Sequence, residues 1–340
     1  MSDGVDTKQR QRDVWQTDLA VLDDSIRRQI KTACYMRKYT TLRVGGPADL
    51  FYSASDRAAL SAIVAVAQRC SIPHIIVGDG SNICVSDDGF RGLVIQNRCR
   101  MADVGESTLV DAGCNFMQLS ISTMQASLSG MEWAVGIPGT VGGALVSNAG
   151  AYGGNISDIV ESIDVIERGE FKTVGPDWME FSYRDSRLRR DSSRPAALIG
   201  VTLKFKPGDR AHIRRTARDI QRQRFMKQPW EPSAGSFFKN IHDPALADSL
   251  VDLPDLLKKR GIVTSAYLID VCGCKGLRIG DAAISPRHAN FVVNFGNATA
   301  NEVRRLVDTV RGRVYEQFGI TLEEEVLYIG DWKADYRVSA

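Results

Sequence analysis

The segment that most constrains the architecture of this chain is Gly136-Ile137-Pro138-Gly139-Thr140-Val141-Gly142-Gly143-Ala144, which continues to Asn148-Ala149-Gly150-Ala151-Tyr152-Gly153-Gly154. Each glycine raises the entropy cost of ordering the backbone, so this density of glycine is not a plain helix or strand. Apolar residues are interleaved with the glycines, whereas flexible linkers are polar and rich in serine. The run therefore predicts a buried loop whose backbone N–H groups lie against a phosphate or a large planar cofactor. The alternative is a glycine-rich surface linker.

A second glycine motif lies upstream in Ile75-Ile76-Val77-Gly78-Asp79-Gly80-Ser81-Asn82. It predicts a buried strand followed by a turn that can direct N–H groups toward a diphosphate. The third glycine of the dinucleotide fingerprint is missing, and the chain has no Walker A motif. Alone, the motif is equally typical of an ordinary hairpin. Together, the two motifs favour a long ligand with a diphosphate and a planar ring.

Composition places the chain among ordinary globular proteins, with 340 residues, 44% hydrophobic and 25% charged. The net charge of +2 does not indicate binding to nucleic acid or to a membrane surface. The opening residues lack the apolar core of a signal peptide, and no segment could span a bilayer, so we expect a cytoplasmic protein. Seven scattered cysteines indicate free thiols, and the pair Cys272 and Cys274 lacks the partners of a metal site.

The order of elements predicts two or more domains of the α+β class. Short strands separated by glycine turns, with a helix over Arg57–Arg69, extend to Pro207-Gly208. An arginine-rich helix from Asp209 to Arg224 and an amphipathic helix from Asn301 to Phe318 dominate the remainder. We expect a polar N-terminal extension over 1–36 with a helix near Leu19 to Ile30. The expected domains are a first over 37–208, a smaller α+β domain over 209–333 and a tail over 334–340.

These motifs, preceded by Val44-Gly45-Gly46-Pro47-Ala48-Asp49, resemble those of the UDP-N-acetylenolpyruvoylglucosamine reductase (MurB) family. The resemblance continues in the family's order through Tyr183-Arg184-Asp185-Ser186, Pro232-Ser233-Ala234-Gly235-Ser236-Phe237-Phe238-Lys239-Asn240, Gly276-Leu277-Arg278-Ile279-Gly280, His288-Ala289-Asn290-Phe291 and Leu322-Glu323-Glu324-Glu325-Val326. It covers nearly everything from Tyr39 to Gly330.

The resemblance implies an FAD-binding region of two α+β subdomains, of the PCMH/VAO type, followed by a smaller α+β substrate-binding domain. It also implies a flavin-dependent oxidoreductase of peptidoglycan synthesis with FAD and NADPH as cofactors. The implied reaction reduces UDP-N-acetylglucosamine enolpyruvate to UDP-N-acetylmuramate in the cytoplasm. We expect a monomer whose partners are small molecules, with no nucleic acid, membrane or metal.

Three residues match the family's catalytic positions. Arg184 matches the arginine that stabilises negative charge on the substrate carboxylate, although other arginines crowd the same stretch. Ser236 matches the proton donor, a role that requires a dry site. Glu325 matches the catalytic glutamate, since it directly precedes Val326, whereas Glu323 and Glu324 are expected to be solvated.

The remaining candidates bind cofactor or substrate. The predicted cofactor-binding residues are Gly78, Gly80, Ser81, Asn82, Gly136, Ile137, Pro138, Gly139, Thr140, Gly142, Gly143, Asn148, Gly150 and Gly153. The predicted substrate-binding residues are Lys227, Asn240, His288 and Asn290. For Lys227, with Arg224 nearby, the expected ligand is the substrate diphosphate.

The interval between Arg184 and Ser236 is too short for the tyrosine-bearing loop that covers the substrate in one subgroup of the family, so we predict the type that lacks it. Two other functions stay open on the sequence alone. One is a flavin oxidase of alcohols or sugars, although none of the four histidines stands in a glycine loop where flavin could be tethered. The other is a flavin- or nucleotide-sugar-binding protein without catalytic activity.

Overall fold

A computed structural model describes residues 12–191 and 196–332. The chain divides into two compact units, each assembled from separate segments. The first unit takes its residues from 1–34, 48–79 and 90–226, and the second from 35–47, 80–89 and 227–340. In the part of the chain that the structure describes, every helix is too short or too polar to cross a membrane.

The first unit contains two large sheets and two short two-stranded ones. The strands of its four-stranded sheet, in spatial order, are Lys31–Tyr35, Pro47–Ala54, Phe90–Asn97 and His74–Val77, and the last three run parallel. The strands of its antiparallel five-stranded sheet are Glu170–Val174, Val160–Glu167, Ala196–Lys204, Ser107–Asp111 and Ala102–Asp103. The helices of this unit are 12–18, Asp24–Arg27, Arg57–Arg69, Phe116–Gln125, Val141–Val146, Arg187–Arg190 and Arg210–Lys227. The last of them crosses the boundary between the units by one residue.

The helix Arg57–Arg69 matches its predicted bounds, because an N-terminal cap and a buried apolar face support the same segment. The Asp56 carboxylate caps it by accepting a hydrogen bond from the Ala59 N–H (2.8 Å). Leu60 and Ile63 on its apolar face are fully buried with residues of the four-stranded sheet.

The N-terminal segment departs from the extension expected over 1–36. Trp15, Leu19, Leu22 and Ile26 are buried in the same core as the helix Arg57–Arg69. Trp15 lies on helix 12–18, Leu19 on the 3₁₀ turn Leu19–Val21 and Ile26 on helix Asp24–Arg27. The helix expected near Leu19 to Ile30 is instead a 3₁₀ turn followed by a short helix. The segment is therefore part of the first unit.

The second unit is a smaller α+β structure. The strands of its antiparallel sheet, in spatial order, are Ser233–Ser236, Phe291–Asn294, Ala282–Ile284 and Arg278–Ile279. Short pairings join Ile241–His242 to Ile262–Val263, and Ile83–Val85 to Leu327–Ile329. Its helices are Pro244–Ser249, Asp255–Lys259, Ser265–Val271 and Ala300–Phe318. The longest begins at a capping box of Thr299 with Glu302 and ends at Gly319.

The two compact units differ from the contiguous domains expected over 37–208 and 209–333, because each unit combines three separate segments of the chain. Residues 80–89 join the second unit because Ile83–Val85 pairs in parallel with Leu327–Ile329. Such a long-range pairing has no local signal in the sequence. The tail expected over 334–340 lies outside the described residues.

Candidate active site

The two glycine motifs meet in the first unit at Gly78 and Thr140. A Cβ atom on Gly78 would lie 2.2 Å from Thr140 Oγ1, so only glycine fits after the strand His74–Val77. Nearby, Asn115 Nδ2 donates a hydrogen bond to the Asp79 carboxylate (3.4 Å). The two motifs are thus parts of one packed structure.

The first N–H groups of the helix Val141–Val146 donate hydrogen bonds to other groups of the protein. The N–H of Gly142 donates to the carbonyl of Ala112 (2.7 Å), and that of Gly143 donates to Thr140 Oγ1 (3.2 Å). A Cβ on Gly142 would also lie 3.0 Å from the Ala112 carbonyl oxygen. Gly142 therefore permits close packing, and neither N–H is directed at a cofactor, contrary to the expectation from the sequence.

Other donors in the glycine run remain. Among the residues that the structure describes, none accepts a hydrogen bond from the backbone N–H of Gly139 or Thr140. Gly136, Gly139 and Gly153 have positive φ values of 79°, 111° and 89°, which side chains other than glycine rarely adopt. Of the other predicted residues, Ile137 packs partly against the core, Pro138 is exposed, and Gly150 pairs with Asn155.

Arg184 lies in a tight turn of the first unit. Ser182 and Asp185 exchange both of their backbone hydrogen bonds (3.1 and 3.2 Å), and Arg184 between them has a φ of 54°. A positive φ costs a non-glycine residue on the order of 1–2 kcal/mol and persists where surrounding contacts enforce it. The guanidinium donates to the carbonyl oxygens of Asn148 (Nη1, 3.4 Å) and Gly150 (Nη2).

Two side chains hold this turn. The buried Asn148 donates from Nδ2 to the carbonyl of Ser182 (2.8 Å). The fully buried Ser186 donates from Oγ to the carbonyl of Val146 (2.6 Å). The serine of the Tyr-Arg-x-Ser motif therefore attaches the turn to the end of the glycine-rich helix. Asn148, predicted to bind cofactor, uses its amide to position the turn that carries Arg184.

The neighbouring arginines have structural partners. Arg187 pairs with Glu167 (2.8 Å), and Arg190 pairs with Asp185 (3.2 Å). Arg194 lies outside the described residues. Arg187 and Arg190 therefore contribute to the packing of this stretch through their ion pairs.

Arg224 belongs to the same region of the first unit. Its guanidinium carbon lies 5.4 Å from the centre of the Tyr152 ring, and its Cδ lies 3.2 Å from the position of a Cβ on Gly136. Burial lowers the pKa of Arg224; Tyr152 opposes this shift and the charge of Arg184 adds to it. The buried Nε has no hydrogen-bond acceptor among the described residues. Arg224 is therefore a cation beside the glycine run with bonding capacity left for an anion.

In the second unit, the turn Gly80–Asn82 is fixed from two sides. A Cβ on Gly80 would lie 2.1 Å from the Tyr39 carbonyl oxygen, so glycine is required there. Asn82 donates from Nδ2 to the carbonyl of Glu325 (3.1 Å), and its own carbonyl accepts from the Leu327 N–H (3.0 Å). Within residues 12–191 and 196–332, no group accepts from the N–H of Gly80 or Asn82.

Ser236 and Glu325 are brought together in the second unit. Ser236 ends its strand opposite Phe291, and the N–H of Glu325 donates to the carbonyl of Phe237, the residue after Ser236 (2.8 Å). Phe237 and Phe238 are fully buried, which provides the apolar surroundings expected beside a serine proton donor. Ser81, in the turn beside Asn82, is partly buried.

The three consecutive glutamates have different surroundings. Glu323 is 71% exposed and pairs with the buried Lys239. Glu324 is only 15% exposed and pairs with Arg304 (3.1 Å) and Arg311 (3.3 Å), so the expectation that it is solvated is wrong. Glu325 is half-buried beside Asn82 and Phe237, two residues before the strand Leu327–Ile329.

The predicted substrate-binding asparagines are engaged by the backbone. Asn290 is buried. Its side chain donates from Nδ2 to the carbonyl of Phe238 (2.8 Å) and accepts at Oδ1 from the N–H of Phe238 (2.9 Å). Asn240 accepts at Oδ1 from the Ser265 N–H (3.2 Å). Asn290 thus aligns the segment after Ser236, whereas the amide nitrogen of Asn240 has no acceptor among the described residues.

His288 and Lys227 lie within electrostatic range of each other. The His288 ring packs edge-on against Phe291, with a centroid distance of 4.8 Å. Burial and the positive charges of Lys227 and Lys275 lower the pKa of His288. His288 is therefore neutral near pH 7, and Lys227 is an exposed cation near it.

The residues present fit FAD. Each unit offers backbone N–H groups without an acceptor among the described residues, Gly139 and Thr140 in one and Gly80 and Asn82 in the other. The first unit adds the unpaired Nε of Arg224. Taken within each unit by itself, such donors suit phosphate oxygens or the polar edge of a ring system. Sequence reasoning missed the supporting roles of Ser186, Asn148 and Glu324, because each depends on a contact distant in sequence.

Comparison with known proteins gives the same class. Residues 48–174 match the model of the FAD binding domain, and residues 227–329 match the C-terminal domain of UDP-N-acetylenolpyruvoylglucosamine reductase. The chain is 37% identical to UDP-N-acetylenolpyruvoylglucosamine reductase 2 of Symbiobacterium thermophilum, over 88% of this chain and 91% of that protein. It is 38% identical to the reductase of Heliobacterium modesticaldum, over 87% and 89% of the two chains. The crystal structure of UDP-N-acetylenolpyruvylglucosamine reductase (MurB) from Thermus caldophilus matches with a TM-score of 0.71 and 33% identity, over 88% of this chain and 98% of that chain.

Fold and matches together define a flavin-dependent oxidoreductase with an FAD-binding region and a separate C-terminal domain, as the sequence predicted. More specifically, the chain belongs to the UDP-N-acetylenolpyruvoylglucosamine reductase (MurB) family.

Proposed function

We propose that this chain reduces UDP-N-acetylglucosamine enolpyruvate to UDP-N-acetylmuramate, with NADPH as reductant, in peptidoglycan synthesis. The observation that carries the proposal is the position of Glu325, whose N–H bonds to the Ser236 segment and whose carbonyl bonds to Asn82, within a chain that matches the family along most of its length. When bound, FAD supplies the hydride-carrying chemistry that amino-acid side chains lack. We place the reaction in the cytoplasm, in a monomer.

Arg184 binds the substrate carboxylate in this proposal. Addition of hydride to the terminal carbon of the enolpyruvyl double bond places negative charge on the adjacent carbon and its carboxylate. A guanidinium stays charged at every relevant pH and offers a planar fork to a carboxylate. The turn that holds Arg184 is fixed by Asn148 and Ser186, so its charge is placed before the reaction begins.

Ser236 gives its hydroxyl proton to the carbon next to the carboxylate, which completes the saturated lactyl product. Serine is a weak acid, so the transfer requires a strongly basic carbanion and the exclusion of water. The buried Phe237 and Phe238 follow Ser236, and Glu325 lies beside them to polarise the substrate carboxylate. Lys227 binds the diphosphate, Asn240 and His288 contact the nucleotide sugar, and Asn290 holds the Ser236 segment in place.

Between Arg184 and the strand Ser233–Ser236, the described residues form the helices Arg187–Arg190 and Arg210–Lys227 and the strands Ala196–Lys204 and Lys206–Pro207. No tyrosine occurs in this interval. We therefore assign the chain to the type without a tyrosine-bearing loop.

Ser236→Ala tests the reaction. In anaerobic stopped-flow measurements, we expect flavin reduction by NADPH to persist in this variant, while reoxidation by the enolpyruvyl substrate slows by several orders of magnitude. Equal loss in both half-reactions would assign Ser236 a structural role. A wild-type flavin that is reoxidised by oxygen but not by the enolpyruvyl substrate would instead identify an oxidase.

A further inference from the structure

The second unit carries an exposed tryptophan that has no part in the roles proposed above. Trp230 is 61% exposed, and the guanidinium carbon of Arg287 lies 5.3 Å from the centre of its ring. Aromatic rings and guanidinium planes are the two side-chain surfaces on which unpaired nucleobases stack. A tryptophan and an arginine held together at the surface therefore form a platform for a planar ligand.

The loop that carries Arg287 starts and ends beside the proposed proton donor. The N–H of Ser285 donates to the carbonyl of Phe291 (2.8 Å), and Phe291 lies opposite Ser236 in the sheet. The carbonyl of Asn290, in the same loop, accepts from the N–H of Phe237 (2.8 Å). Arg287 is therefore located next to the segment where the enolpyruvyl group is proposed to react.

The loop that carries Trp230 approaches the same place. Trp230 meets Arg287, and the charge of Lys227, three residues earlier, acts on His288. Two separate interactions thus place the end of helix Arg210–Lys227 and the loop after it beside the loop of Arg287. This region presents a cation, Lys227, that suits a diphosphate, and an aromatic ring, Trp230, that suits a nucleobase.

We infer that Trp230 and Arg287 form a stacking platform for the uracil base of the UDP-linked substrate, with Lys227 directed at the diphosphate. The inference rests on the proposed function, because it names the part of the proposed substrate that this surface binds. In this inference Trp230 covers the nucleotide, because the chain lacks the tyrosine-bearing loop. The adenine of NADPH is the other planar base available, so the test must separate the two.

Trp230→Ala is the direct test, with Trp230→Phe as the conservative variant. Loss of a stacked base raises the KM for the UDP-linked substrate by about 5- to 150-fold, the range that corresponds to 1–3 kcal/mol per stacked base. We expect kcat and the KM for NADPH to stay within about twofold of wild type, and Trp230→Phe to recover most of the affinity. Calorimetric titration with uridine 5′-diphosphate should show the same loss without any turnover.

Phe295→Ala is the matched control, because Phe295 is 46% exposed and Arg278 lies 5.3 Å from its ring centre in the same unit. Its KM for the UDP-linked substrate should stay at the wild-type value. Arg287→Gln provides a second variant that leaves the tryptophan in place, and we expect a smaller rise in KM.

Three outcomes would overturn the inference. They are an unchanged affinity of Trp230→Ala for uridine 5′-diphosphate, an equal effect in Phe295→Ala, and a rise in the KM for NADPH alone. A wild-type flavin that the enolpyruvyl substrate does not reoxidise refutes the proposed reaction instead, and the titration with uridine 5′-diphosphate still decides the role of Trp230.

Discussion

Replacement of Glu324 by alanine should destabilise the second unit, because this carboxylate neutralises two largely buried arginines. The side chains of Arg304 and Arg311 are 5% and 17% exposed, and they meet Glu324 at 3.1 and 3.3 Å. Removing one partner of a buried ion pair costs on the order of 3–5 kcal/mol. Arg304 keeps its pairing with Asp308 (2.9 Å), which places the expected loss in the free energy of unfolding near the lower limit, at about 3 kcal/mol.

A substitution at Glu324 should also slow turnover, because Glu324 directly precedes Glu325 and is bridged to Phe238. We expect Glu324→Gln, which keeps the shape of the side chain, to lower kcat about tenfold through a small displacement of Glu325. Urea unfolding followed by circular dichroism measures the first effect, and steady-state kinetics measures the second.

Glu316→Gln is the matched control, since Glu316 is exposed on the same helix as the two arginines. It should change stability by less than about 0.5 kcal/mol. If Glu324→Ala is no less stable than Glu316→Gln, then the two arginines do not depend on this carboxylate and the reasoning is refuted.

Two further predictions concern the turn of Arg184 and the state of His288. Asn148→Ala removes the hydrogen bond that holds the turn, so we expect kcat with the enolpyruvyl substrate to fall about 10- to 100-fold in steady-state assays. Burial and nearby cations lower the pKa of His288, so the unfolded chain binds a proton at this residue more readily than the folded chain. The corresponding stability is present above the ordinary pKa of about 6.5 and is lost as the pH falls from there toward the folded-state pKa, a loss that urea unfolding at pH 7.5 and 5.5 should detect.

Each of these predictions has a control. FAD content, measured from the visible absorbance, should be retained in Asn148→Ala, and a colourless variant would assign Asn148 to cofactor binding instead of positioning. His288→Gln should lose less stability than wild type between the two pH values. An equal loss in both would attribute the pH dependence to other groups.

Most local structure could be predicted from the sequence. The helices Arg57–Arg69 and Ala300–Phe318 lie where apolar spacing indicates them. Arg184 could be chosen among its neighbours only by resemblance, because the ion pairs of Arg187 and Arg190 are made with residues that no spacing rule identifies.

Long-range contacts account for what could not be predicted. The burial of Glu324 depends on two arginines of the helix Ala300–Phe318, so three identical residues in a row gave no signal of their different environments. Likewise, Gly142 and Gly143 stand in a motif that suggests ligand contact, but their N–H groups bond to Ala112 and Thr140. A high glycine content indicates that other atoms approach the backbone closely, but it does not show whether those atoms belong to a ligand or to the protein itself.

The hydrogen bond from Asn82 to Glu325 joins residues 243 positions apart in the chain. During synthesis, the turn that carries Asn82 leaves the ribosome long before its partner strand Leu327–Ile329 exists. At 5–20 residues per second, the interval is on the order of 10–50 s. For that time the edge of Ile83–Val85 is unpaired and open to wrong partners, a hazard for nascent β-structure. The pairing that fixes the turn Gly80–Asn82, which we predict to bind cofactor, therefore forms only when translation is almost finished, so newly made chains should capture flavin late.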